Sequence, residues 1–163
     1  MKAPEFTLRL VDEGDLAALM EVYRQCEDFL ALGPQAMASE AMVLADIAHS
    51  QEMGGLFCGI FVEDRMAGVI DYVPSGFEGE PGHAFLSLLM IAEPWRGRSL
   101  GAAVVAAVEG IIGRNLAVKA ILSGVQVNNP AGIAFWQRMG YSIASGPKQM
   151  ADTTVCYDLL KVF

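Results

Sequence analysis

Trp95-Arg96-Gly97-Arg98-Ser99-Leu100-Gly101 separates an apolar, strand-like run, Phe85 to Ile91, from a helix-like run, Leu100 to Arg114. A strand that enters a helix through a glycine-bearing, arginine-flanked turn leaves backbone N–H groups without intrahelical partners, at the positive end of the helix dipole. Such a turn is suited to a phosphate. Gly97 and Gly101 remove side chains that would hold a polyanion away from the backbone. Arg96 and Arg98 offer charge-assisted hydrogen bonds. The cradle runs on through Ser99 and Leu100 to Ala102, and the Ser99 hydroxyl could cap the helix or donate to phosphate. Taken alone, the segment also describes an ordinary strand-to-helix turn with two solvated arginines.

Working outward, Phe6-Thr7-Leu8-Arg9-Leu10 alternates as a first strand, and Asp15 to Leu30 has helical spacing through Leu16, Leu19, Met20 and Tyr23, with Asp15 as N-cap. A second helix, Ala36 to Gln51, follows the Gly33-Pro34 break. Leu56 to Glu63 and Met66 to Val73 form a hairpin across Asp64-Arg65, and the Gly- and Pro-bearing stretch Pro74 to His83 reads as an irregular, mobile loop. Leu100 to Arg114 is apolar almost all round, which predicts a helix covered on more than one side. Ala120 to Val127 is a strand; Asn129 and Pro130 are the N-cap and first residue of a helix that reaches Met139 and stops at Gly140. Tyr141 to Ala144 and Thr154 to Leu160 are the last strands. The element order is β-α-α-β-β-β-α-β-α-β-β.

The 163 residues are 53% apolar and 18% charged, enough for one core in a single domain over 1–163. No apolar run reaches the roughly 18 residues of a membrane span. The N-terminal Met-Lys-Ala-Pro-Glu-Phe lacks an apolar signal core, so a cytoplasmic protein that does not engage membranes is expected. Cys26, Cys58 and Cys156 lie in apolar runs as small hydrophobes, with no metal-ligand spacing and no metal implied. The net charge of −8 is unevenly spread: residues 1–93 hold 4 basic and 16 acidic side chains, residues 94–163 hold 7 and 3. This balance disfavours nucleic acid. An acidic first half favours a cationic or amine ligand, or is a solvated face that keeps the chain soluble; the basic second half suits a small polyanion.

Two segments resemble the GNAT superfamily of N-acetyltransferases, and the likeness extends from about Phe6 to Leu160. Arg96-Gly97-Arg98-Ser99-Leu100-Gly101 is similar to the acyl-CoA turn Gln/Arg-x-x-Gly-x-Gly/Ala, with Ser99 standing where the family has Gly. Asn129 to Tyr141 is similar to the pattern Asn-x-x-Ala-x-x-Phe-Tyr-x-x-x-Gly-Phe. Phe29-Leu30, the Gly-Pro break and the Gly59-Ile60-Phe61 to Gly68-Val69-Ile70-Asp71 hairpin resemble a bacterial branch of unknown substrate. The resemblance implies an α/β (α+β) fold with a central mixed, mostly antiparallel sheet of six to seven strands, splayed between the fourth and fifth, and helices on both faces. It implies acetyl-CoA as co-substrate, its diphosphate on the Arg96 to Ala102 turn, its pantetheine arm along backbone near Met90 and Ile91. Asn129 orients the arm or simply caps its helix, and Trp136 packs against the arm or in the core.

Catalytic groups are less plain. Many members carry Tyr at the position of Trp136, able to protonate the departing thiolate; an indole has no such proton. A thiol of pKa near 8.5 leaves tolerably without it. An alkyl amine near pKa 10 must lose a proton before attack. Ser87 is the polar residue of the Phe85 to Ile91 strand, His83 precedes it and Glu93 follows; Asp71, Tyr72, Glu78 and Glu80 are further candidates, and water-mediated deprotonation is the working expectation. Two readings result. One is acetyl transfer to a primary amine, on a small molecule or a peptide, by direct attack in a ternary complex; the other is a non-catalytic acyl-CoA-binding sensor or interaction module. The absence of a Gly-x-x-x-x-Gly-Lys-Ser/Thr run argues against a nucleotide-hydrolysing P-loop protein. The apolar excess is compatible with a homodimer.

Overall fold

The computed structural model describes residues 2–163. Seven strands form one sheet in the order β1-β2-β3-β4-β5-β7-β6. They are β1 Thr7–Leu10, β2 Leu56–Val62, β3 Arg65–Val73, β4 His83–Ile91, β5 Ala120–Gln126, β6 Ser142–Gln149 and β7 Val155–Val162. The helices are α1 Leu16–Gln25, α2 Glu27–Leu30, α3 Glu40–Glu52, α4 Leu100–Gly113 and α5 Pro130–Arg138. Neighbouring strands are antiparallel except β4 and β5, which run parallel. No helix among the described residues is long and apolar enough to cross a membrane.

The near-continuous apolar runs of β2 and β3 follow from cover on both faces. On one face Ile60, Ile70, Ile121 and Leu159 pack with Val104 and Val108 of α4 and Trp136 of α5. On the other, Phe57, Val69 and Met90 pack with Leu19 and Tyr23 of α1 and Val43 of α3. The α4 helix is covered on more than one side, as its sequence predicts: Leu100, Val104, Val105, Val108 and Ile112 are buried, Gly101 to Ala103, Ala107, Glu109 and Gly113 are partly covered, and Ala106, Gly110 and Ile111 face out. Most of that outward face is small, so little apolar area meets water.

Three helix boundaries differ from the sequence reading. The expected Asp15–Leu30 helix breaks at Cys26, whose N–H donates to Tyr23 O three residues back and so tightens the last turn. Asp15 does not cap α1 with its side chain. Its carboxylate receives Arg9 and the Asp12 N–H, and Asp12 caps the short 3-10 turn ahead of α1. The second helix begins at Glu40, not Ala36, because Ser39 Oγ accepts from Met42 N while Glu27 takes the Ala38 N–H. The stretch before β4 contains a 3-10 turn, Phe77–Gly79, and Phe77 stacks on Phe85 at 4.1 Å.

The pairing of β4 with β5 positions the site. The two strands are hydrogen-bonded from His83↔Ala120 to Leu86↔Ser123 and separate beyond that rung. Ser123 Oγ donates to Leu86 O at 2.8 Å, closing the apex. On its other side β4 carries a bulge: Asp71 opposes Leu88 while Tyr72 opposes Leu86, which leaves Ser87 as the extra residue.

Candidate functional site

At the open end of the gap, β4 leads through a 3-10 turn, Glu93–Trp95, into α4. The first helical bond of α4 runs from Ala103 N to Ser99 O, and among the described residues the N–H groups from Gly97 to Ala102 meet no protein acceptor. Gly97 (φ 71°) and Ser99 (φ 62°) are both left-handed, an arrangement that gathers successive N–H groups into a concave nest. A Cβ on Gly97 would meet nothing within 4 Å, and one on Gly101 would lie 3.6 Å from Ile91 and 3.7 Å from Phe135, at the mouth of the gap. The cradle is open.

Ser99 therefore stands where the chain favours glycine, with left-handed strain of about 1 kcal/mol. The helix cap expected of its hydroxyl is not made.

The two arginines diverge. Arg96 turns away from the cradle: it forms a bidentate ion pair with Asp28 (2.7 and 3.1 Å) and donates to Ile91 O (2.8 Å) and Gln25 O (3.2 Å). That holds the Asp28 carboxyl below its ordinary range. Four of its five guanidinium N–H groups are thus engaged within the protein, leaving one on Nη1 for the phosphate contact expected of Arg96. Arg98 lies over the Trp95 ring at 5.2 Å and remains exposed.

Along the gap, Ala92 N donates to Ala67 O, and alternation turns the main-chain groups of Met90 toward β3 as well. Gly68 lacks a Cβ because one would collide with the Met90 carbonyl. The main-chain groups that face the gap are therefore those of Leu89, which sequence reading missed, and not those of Met90, while the Ile91 carbonyl is occupied by Arg96 and lies 3.5 Å from Cys26 Sγ. Cys26, Phe29 and Asp28 face Leu89, Met90 and Ile91 across a cleft of about 230 Å³.

Asn129 and Trp136 are accounted for by the helix they sit on. Asn129 Oδ1 accepts from Gly132 N at 2.9 Å, capping α5. Trp136 is buried edge-on between Phe135 and Tyr141, with centroids 5.2 and 5.1 Å away, as a side chain of the core on the α4 side of the sheet.

His83, Ser87 and Glu93 are not brought together. At about 3.3 Å per residue, His83 lies roughly 13 Å behind Ser87 within the paired part of β4, and Glu93 lies beyond the other end of the strand. Ser87 alone sits at the apex, as the bulge residue. Tyr72 is buried in the α4-side core. Asp71 is buried on the opposite face, 2.6 Å from Ser50 Oγ, and burial raises its carboxyl above the usual range; Ser50 and Ser87 pull the other way. Asp46, one turn before Ser50, accepts from Tyr23 OH at 2.7 Å and is also raised by burial. The signal for this cluster was present in α3, where Asp46 and Ser50 share a face at i,i+4 beside apolar Val43 and Ile47. The three cysteines are free, and among the described residues no group of His, Cys, Asp or Glu could hold a metal ion.

Residues 16–141 match the Acetyltransferase (GNAT) family. No curated protein matches the chain. Among solved structures, an acetyltransferase from Thermus thermophilus shares 22% identity and a TM-score of 0.80, with 100% of both chains covered. An acetyltransferase from Salmonella typhimurium that modifies the N-terminal serine of ribosomal protein L7/L12 shares 17% identity and a TM-score of 0.79, over 97% of this chain and 95% of that one. The PaiA N-acetyltransferase from Thermoplasma acidophilum, solved with coenzyme A, shares 17% identity and a TM-score of 0.69, over 98% and 99%. These likenesses extend over nearly the whole chain.

Proposed function

We propose that this chain, which belongs to the acetyltransferase (GNAT) family, moves an acetyl group from acetyl-CoA to a primary amine within a ternary complex. One observation carries the reading: a row of N–H groups without acceptors, Gly97 to Ala102, at the mouth of a gap between two parallel strands. The residues fit the co-substrate. Six donors, a dipole end and the exposed Arg98 suit a diphosphate, and no Cβ obstructs Gly97. The main-chain groups of Leu89 that face the gap suit an amide-bearing arm, bound as an added strand.

Acetyl-CoA supplies an activated acyl group as a thioester. The chain's part is to hold and orient: α4 anchors the phosphate end, β4 aligns the arm, and the Leu86–Ser123 rung stops it beside Ser87. The cleft at Cys26, Phe29 and Leu89 admits the acceptor from the α1–α2 side, and the acidic residues 1–93 favour an amine, free or on a peptide.

Binding is measured by calorimetry with acetyl-CoA, with an expected dissociation constant on the micromolar scale of ordinary enzyme ligands. Chemistry is measured as free thiol released with a panel of amines. Amine-dependent release supports the transferase. The indole of Trp136, which has no acidic proton for the departing thiolate at a position where many family members carry Tyr, favours the second reading, a binding module; tight binding without amine-dependent release would establish it.

A further inference from the structure

We propose that Asp71 is a positioning residue for the reaction, acting through the bulged Ser87 as the proton sink for the attacking amine. The inference rests on the acetyl-transfer reading and adds the base that reading lacks. Ser87 is the first β4 residue beyond the last β4–β5 rung, where the gap opens. The bulge places it between Leu86 and Leu88, on the strand directly paired with Asp71. Without the extra residue, register would alternate regularly through this point.

A buried carboxylate is costly unless its oxygens have partners. Asp71 has Ser50 Oγ at 2.6 Å on the α3 side; Ser87 stands in the bulge of the strand paired with it, with no hydrogen bond between the two in this structure, and acts with Ser50 to lower the carboxyl against the effect of burial. The remaining groups that bear on Asp71 are Asp46 and His49 of α3, Tyr23 of α1, through its bond to Asp46, and Cys58 of β2, a thiol pushed up to about 11. Asp46 is half-buried and His49 exposed, so the interior pair lies one helical turn from solvent. A carboxylate raised toward neutrality accepts a proton from an amine more readily than an ordinary one.

The step balances without any change at carbon. One proton leaves the amine nitrogen for Ser87 Oγ while the Ser87 proton passes to an Asp71 oxygen; the nitrogen keeps its electron pair. Asp71 then returns the proton toward Asp46, His49 and water. Packing alone gives no account of a serine at the bulge and a buried acid behind it.

The test has two readouts. Carbon-13 NMR of the aspartate carboxyls, with Asp71 assigned by its loss in Asp71→Asn, follows its titration without any substrate. The expected midpoint lies above that of an exposed aspartate and rises in Ser87→Ala; an ordinary midpoint, or one indifferent to Ser87→Ala, overturns the proposal. Turnover is then followed against pH at saturating acetyl-CoA. Asp71→Asn and Ser87→Ala should each lower kcat at least tenfold and remove the acidic limb of the profile. The affinity for acetyl-CoA should stay within twofold, and the double variant should be no slower than the worse single one. Unaltered limbs in both variants overturn the relay alone. If the wild-type protein releases no thiol with any amine, the transfer reading fails and takes the relay with it.

Discussion

Arg96 and Arg98 flank Gly97 in one turn, and their alanine variants should fail in different ways. Arg96→Ala removes the hydrogen bond to Ile91 O, the bidentate pair with Asp28 and the contact to Gln25 O. The Asp28 pair is largely exposed, with side chains 36% and 65% accessible, so it contributes at most about 1 kcal/mol. The charged donor to Ile91 O contributes about 1.5–3 kcal/mol, because that carbonyl keeps only the distant Cys26 thiol afterward. The expected loss is about 2–3 kcal/mol, or a Tm lower by roughly 5–10 °C in a chain of this size. Part of it is pH-dependent. Asp28 titrates below its ordinary value, so its share is fully present above that value and is lost as pH falls through the lowered one, below about pH 4. Arg98→Ala, which loses only an exposed cation–π contact, should cost under about 1 kcal/mol of stability. Its acetyl-CoA affinity should fall about tenfold, with a shallower salt dependence. Urea unfolding and calorimetry at two salt concentrations measure both. If Arg96→Ala keeps its stability and loses salt-sensitive affinity instead, the ion-pair account is wrong and Arg96 is a phosphate ligand.

Ser99→Gly should raise stability by up to about 1 kcal/mol by relieving a left-handed serine, with affinity for acetyl-CoA equal or tighter; lower stability on thermal unfolding would show the strain is absent. Gly101→Glu places bulk and negative charge between Ile91 and Phe135 and should abolish acetyl-CoA binding by calorimetry while the circular dichroism spectrum stays unchanged. Trp136→Ala should cost about 3–5 kcal/mol in chemical denaturation, as a core truncation. Asp71→Asn should be at least as stable as the parent at neutral pH. A carboxyl raised by burial favours the fold below its unfolded value and loses that contribution as pH rises through the folded one, and Asn has no charge to bury.

The strand-turn-helix at Phe85 to Arg114 was legible because local patterns decide it: an apolar run, a glycine in a turn, then a helix. The Asn129-Pro130 helix start was legible for the same reason. What escaped were partnerships across the chain. Arg96 meets Asp28, 68 residues earlier, and nothing in its neighbours announces that. Cys26, where the first helix breaks, meets the carbonyl of Ile91, 65 residues later. Ser87 was visible as a lone polar residue in an apolar strand, but the bulge that gives it a role is a relation between β3 and β4. Ser50 and Asp46 share a face of α3 in the sequence, but their counterpart Asp71 is supplied by the sheet.

The outermost strand, β6, has every residue exposed and only one partner, yet its pairing with β7 slips twice, around Ser145 and again before Lys148. Pro147 has no N–H to offer a neighbour, and Lys148 stands next to it. A foreign chain attempting to extend the sheet there would zip for two or three residues and then find no donor at Pro147 and an ion pair, Lys148 with Asp158, beside it. The sheet thus ends in a frayed rail, which guards this apolar-rich molecule against fibrous self-association at its most accessible border.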